Sequence, residues 1–94
     1  MPTVFELSQN YPNPFNPSTL IRYQVPEEER VHITIHDLLG REIVTLVNDM
    51  TKPGEYVARW NAQDATGDIV PGGTYFCRMK AGTFTRTMKL LLLK

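Results

Sequence analysis

Asn10-Tyr-Pro-Asn-Pro-Phe-Asn-Pro17 runs straight into Ser18-Thr-Leu-Ile-Arg-Tyr-Gln-Val25, and this junction decides the fold class. Pro12, Pro14 and Pro17 lack a backbone N–H, exclude a helix and push each preceding residue toward extended geometry. The chain is held open just ahead of an alternating run. Ile21, Tyr23 and Val25 project to one face, and Leu20, Arg22 and Gln24 to the other. That is the period of a strand, entered through a segment that can only be extended or turned.

The same reading extends in both directions. Val4 to Ser8 is a candidate first strand within a lead-in spanning residues 1–9. Pro26 and Glu27-Glu-Glu29 make a solvated turn, and Arg30 to Asp37 alternates again, with Val31, Ile33 and Ile35 on one face. Asp37-Leu-Leu-Gly-Arg41 is a tight reversal in which Gly40 supplies a positive φ. Glu42 to Val47 predicts a strand, Asn48 to Gly54 a loop closing on Pro53-Gly54, and Glu55 to Trp60 a further strand. Asn61 to Gly73 is the longest irregular stretch. Thr74 to Lys80 and Thr83 to Leu93 predict a hairpin across Ala81-Gly82, which sets Arg86 opposite Cys77 unless a bulge shifts the register. About seven antiparallel strands with no helix read as an all-β sandwich of two sheets, with Trp60 the candidate centre of its core.

Composition narrows the function classes. The 94 residues, 41% of them hydrophobic, make one domain over residues 1–94. No apolar run reaches the length of a membrane-spanning helix, and Met1-Pro-Thr3 does not open a signal peptide. Cys77 is the single cysteine, so no internal disulfide forms, and its mid-strand place reads as a buried thiol. Net charge is zero, yet Arg78, Lys80, Arg86, Lys89 and Lys94 follow Ile69 with no acid among them. Either neighbouring strands carry the complementary charge, or the C-terminal surface meets an acidic partner. No cluster or motif points to nucleic acid.

Catalytic signals are lacking. His32 and His36 lie four residues apart on a strand, roughly 13 Å and too far to share a metal. Ser8 and Ser18 have no nucleophile-elbow context. Asp64 and Asp68, with Asn61, are weak candidates for a calcium site, because the same residues are ordinary turn formers. No cofactor is implied. An accessory module binding carbohydrate would need exposed aromatics, and Phe15, with Tyr11 or Phe76, is the candidate for that.

Leu90-Leu-Leu-Leu93 does not alternate, so leucines project from both faces of the last strand. Burying a leucine is worth roughly 1.5–3 kcal/mol. Either both faces of the strand are covered, or one meets another protein or a second copy of this chain.

Taken together, Asn10-Tyr-Pro-Asn-Pro-Phe-Asn-Pro-Ser-Thr19, Asp37-Leu-Leu-Gly-Arg-Glu42, Gly54, Tyr56, Trp60, Gly67, Gly73-Thr-Tyr-Phe76 and Lys89-Leu-Leu-Leu-Leu-Lys94 resemble the type A C-terminal sorting domain of the type IX (Por) secretion system. The resemblance covers about residues 5 to 94 and extends to the Ig-like domain of the flagellar hook-capping protein. It implies an Ig-like sandwich without catalytic activity, fused behind a catalytic or adhesive domain of a secreted protein. It also implies passage through the periplasm and across the outer membrane by dedicated machinery, processing by a sortase-like peptidase, and attachment at the cell surface. The residues it marks for recognition are Gly40, Arg41, Lys89, Leu90, Leu91, Leu92, Leu93 and Lys94. Self-association through the last strand is a further expectation. The readings from another class are a ligand-binding accessory module and a structural spacer.

Overall fold

The computed structural model describes residues 2–93. Seven strands form: β1 (Glu6–Leu7), β2 (Thr19–Val25), β3 (Glu29–His36), β4 (Glu42–Thr51), β5 (Gly54–Trp60), β6 (Gly73–Ala81) and β7 (Phe84–Leu92). They build a three-stranded sheet in the order β1-β2-β5 and a four-stranded sheet in the order β4-β3-β6-β7. Every pairing between strands is antiparallel. The result is the all-β sandwich that the turn spacing predicts.

Alternation sends one side of each strand inward. Ile21, Tyr23, Val25, Ala58 and Trp60 from the smaller sheet meet Val31, Ile33, Ile35, Tyr75, Cys77 and Met79 from the larger, all of them buried. Trp60 sits where expected: its ring lies 5.7 Å from Phe15 and 5.2 Å from Tyr75 between centroids. Its indole N–H donates to the Gln63 carbonyl at 2.9 Å, which removes the cost of burying that polar atom. Cys77 is fully buried, and burial alone pushes its thiol up to about 12.

Four local expectations need correction. The strand predicted to end at Val47 continues to Thr51, because Asn48, Asp49 and Met50 stay paired with β3 despite two register shifts. The hairpin turns on Gly82-Thr83 and pairs Ala81 with Phe84, so Arg86 faces Met79 and Met88 faces Cys77. No bulge forms, and Arg86 is exposed although its partner Met79 is buried. Phe15 is not exposed but is among the most buried side chains, at 1%. Finally, the leucines are not covered on both faces. Leu90 and Leu92 are buried, while Leu91 and Leu93 stand 40% and 50% exposed.

Candidate functional site

The residues marked for recognition lie along β7 and at the end of the sandwich where β7 finishes. Strand β7 is the outermost strand of the larger sheet. Its register with β6 runs unbroken from Ala81–Phe84 to Gly73–Leu92. Leu90 and Leu92 close the core, and Lys89 and Leu91 point away from it. Lys94 lies outside the described residues.

The proline-rich segment explains how this edge is finished. Tyr11 still pairs with Leu20 of the smaller sheet through reciprocal 2.9 Å bonds. Beyond it the chain crosses to the larger sheet and lies parallel to the end of β7 as a strap. The Phe15 N–H donates to the Leu91 carbonyl at 3.0 Å, and the Leu93 N–H donates to the Phe15 carbonyl at 2.8 Å. The Asn13 carboxamide oxygen accepts the Leu91 N–H at 3.1 Å, and the Gln9 amide donates to the Lys89 carbonyl at 3.1 Å. Inside the crossing, buried Asn10 donates to the Thr19 hydroxyl oxygen and the Pro12 carbonyl at 2.9 and 3.1 Å. The Thr19 hydroxyl donates to the same carbonyl at 2.8 Å. The two ends of the sequence that carry the family resemblance are thus one structural unit. Sequence reasoning missed this unit, because nothing in either stretch alone says that they touch.

Gly40 and Arg41 belong to a self-capped turn at the same end. The Asp37 carboxylate accepts the backbone N–H of Leu39 at 2.9 Å and of Arg41 at 3.0 Å. It also accepts the Arg41 Nε–H at 2.8 Å, which is an ion pair. Gly40 takes φ +82°, a left-handed conformation that other residues adopt only with strain. Partial burial opposes ionisation of Asp37, but the bonds from Arg41 and Leu39 outweigh it and hold the carboxyl below its ordinary value. The glycine and the aspartate therefore have a structural task. The Arg41 side chain, 73% exposed despite its ion pair, remains available to a partner, as do Leu38 and Leu39, at 68% and 78% exposed.

Asp64 and Asp68 occupy a second copy of this turn. The Asp64 N–H bonds the Asp68 carbonyl at 2.8 Å, as the Asp37 N–H bonds the Arg41 carbonyl at 3.0 Å. Asp64 Oδ1 accepts the N–H groups of Thr66 and Asp68 and the Thr66 hydroxyl, at 2.9, 3.0 and 2.7 Å. The Thr66 hydroxyl bond, reinforced by those from the loop N–H groups, holds the Asp64 carboxyl below its ordinary value. Asp64 Oδ1 is taken up by the loop's own donors, and Asp68 Oδ2 accepts from the Thr66 hydroxyl at 3.2 Å. No cluster of three or more His, Cys, Asp or Glu with metal-site geometry occurs among the described residues. The repeat of Asp-x-x-Gly at 37–40 and 64–67 was the signal that could have revealed the shared turn.

Between these turns and β7 lie two clefts flanking the segment from Val70 to Gly72. One, of about 320 Å³, is lined by Leu38, Leu39, Arg41, Ile43, Pro71 and Tyr75 among others. The other, of about 270 Å³ and mostly apolar, is lined by Pro17, Ala62, Ile69, Val70, Leu92 and Leu93 among others. The structure thus sets the Arg41 turn and the terminal leucines on opposite sides of one loop, at one pole. Phe5 stacks on Phe84, 5.6 Å between centroids, at the other pole.

A family model for the secretion system C-terminal sorting domain matches residues 9–93. The chain belongs to that family. No curated protein matches it. Among solved structures, dimeric latent PorU from Porphyromonas gingivalis superposes with a TM-score of 0.71 at 19% identity, covering 99% of this chain and 10% of that one. FlgD from P. aeruginosa superposes with a TM-score of 0.61 at 20% identity, covering 79% of this chain and 57% of that one. At these identities the two structures speak for the shared Ig-like fold only. The family is one of sorting signals for type IX secretion rather than of catalysts. The row of exposed aromatics that a polysaccharide-binding module needs does not form around Phe15, whose ring is inside the sorting domain.

Proposed function

We propose that this sorting domain carries a larger secreted protein across the outer membrane and that the exposed side of its last residues is what the machinery reads. Cargo joined ahead of residue 2 sits at the Phe5 pole. The read surface lies at the far end of β7, roughly 27 Å away for a strand of this length. That surface comprises Leu91 and Leu93, with Lys89 beside them and Arg41 across the Val70–Gly72 loop; Lys94 joins the reading from the sequence alone. Gly40 shapes the turn that presents Arg41. A sortase-like peptidase acting after translocation and attachment at the cell surface complete the reading.

One observation supports it most: in a run of four leucines, two complete the core and two stand in solvent. A leucine left 40–50% exposed forgoes roughly half of the 1.5–3 kcal/mol of full burial, which a docking receptor recovers.

The test uses a reporter fused ahead of the domain in a host that has the apparatus. Leu91→Ser with Leu93→Ser should leave Trp60 fluorescence and the thermal midpoint close to the parent value while surface delivery is lost. Removing Lys89 to Lys94 is a poorer test, since it also takes Leu90 and Leu92 out of the core. Normal delivery of the folded double variant overturns the proposal.

A further inference from the structure

The strap covers only the last part of the β7 edge. In an antiparallel ladder, alternate residues turn their N–H and C=O groups away from the partner strand. Both groups of Leu91 and the N–H of Leu93 go to Asn13 and Phe15, so the same parity turns those of Thr85, Thr87 and Lys89 outward. Gln9 takes the Lys89 carbonyl. The outward groups of Thr85 and Thr87 and the Lys89 N–H have no hydrogen-bond partner among the described residues, and Thr85, Arg86 and Thr87 are all exposed. Edge strand β4 is interrupted by two register shifts, whereas β7 is regular throughout. Regular unpaired edges are templates for an added strand.

Charge narrows what can be added. Arg86 and Lys89 flank the open stretch, Arg78 and Lys80 stand on the neighbouring strand, and β6 and β7 contain no acid. The expected pairing of these cations with acids on adjacent strands does not form. The ion pair between Arg41 and Asp37 is the single one among the described residues.

We propose that the edge of β7 from Thr85 to Lys89 binds an extended acidic polypeptide segment by strand addition. Main-chain bonds to Thr85, Thr87 and Lys89 supply the register, and carboxylates of the incoming strand meet Arg86, Lys89, Arg78 and Lys80. A second copy of this chain fits worse, because two β7 edges side by side bring together two all-basic strand pairs with no acid between them. The inference shares Lys89 with the surface of the export reading but makes no use of Leu91 or Leu93, so the two are tested by different variants.

The probe is a short peptide of alternating valine and glutamate, titrated into the isotope-labelled full chain. Amide signals of Thr85, Thr87 and Lys89 should shift and gain exchange protection, with affinity falling as salt rises. Arg86→Glu with Lys89→Glu should weaken binding by about tenfold or more. Thr87→Pro should abolish it while the fold persists, because the Thr87 N–H points away from β6 and no ladder bond is lost. Should that variant fail to fold, a backbone N-methylated peptide makes the same test on the parent chain. Binding that survives Thr87→Pro or N-methylation overturns strand addition. Equal binding of a control peptide of the same length that alternates valine and lysine overturns the acidic partner. A dimer of the chain alone that Thr87→Pro returns to monomer overturns it too, by naming a second copy as the occupant.

Discussion

Phe15→Ala tests the joint between the proline-rich strap and the core. The ring is 1% exposed and packs 5.7 Å from Trp60. A buried phenylalanine hides roughly 150–250 Å², worth about 4–6 kcal/mol at about 25 cal/mol/Å². The carbon that alanine keeps lowers this to about 3–5 kcal/mol, the usual range for such truncations. A domain of this size has about 5–14 kcal/mol in all, so the loss is large. The backbone bonds of Phe15 to Leu91 and Leu93 and the side-chain bonds of Gln9 and Asn13 to β7 are formally untouched, but the strap loses its buried apolar anchor. Urea denaturation followed by Trp60 fluorescence should give the loss in stability. Amide exchange should show the Leu91 and Leu93 N–H groups losing protection before those of Ile33 and Ile35. A loss below about 1 kcal/mol, the scale of an ordinary surface substitution, refutes the reasoning, as does unchanged protection at Leu93.

Gly40→Ala meets open space, since an added carbon finds nothing within 4 Å. The expected cost is therefore backbone strain alone, about 1–2 kcal/mol, read as a lowered thermal midpoint. Cys77, with its thiol pushed up to about 12 and no exposed surface, should resist thiol reagents in the native state and react at once in denaturant. Asp37 and Asp64 are both held below the ordinary aspartate value of 3.8. Their ionised forms stabilise the two turns above that value, and the contribution is lost as pH falls through the lower folded values. Carboxyl signals followed by NMR should titrate below pH 3.8, and Asp37→Asn should remove the acid dependence of the first turn.

The strands were legible because each buried face follows a period of two: Val31, Ile33 and Ile35 could hardly lie anywhere but inside. The length of β4 was not, because Asn48, Asp49 and Met50 have no apolar alternation and are held by pairing with β3. The hairpin register escaped because Gly82 suits either turn, and the choice falls to the facing pairs Met88–Cys77 and Leu90–Tyr75. Phe15 was misplaced for a related reason. Between prolines it has no periodic neighbours, and only the three-dimensional crossing puts its ring against Trp60. At the recognition surface, the Asp37 turn could be read locally. The split of the leucines could not, since it depends on β7 being an edge strand with one face covered.

An outermost strand that ends in three leucines and runs on into a fourth is a hazard: that stretch is uncharged, apolar and β-forming, and it invites a neighbour to continue the sheet. The two halves of β7 meet that hazard differently. Over the leucines, the strap takes up both outward groups of Leu91 and the N–H of Leu93, and its exposed Pro12, Pro14 and Pro17 have no N–H to offer a further strand. Ahead of the leucines the strap gives way, and Arg86 and Lys89 take over as guards of like charge. The prolines therefore do more than hold the chain open. They carry it from one sheet to the other and leave the strap over that edge with fewer N–H groups to offer. The boundary falls at Lys89, whose carbonyl is held by Gln9 and whose N–H faces outward. On the leucine side of that residue the strap occupies the β7 edge; on the other side the edge is open to a strand that tolerates positive charge.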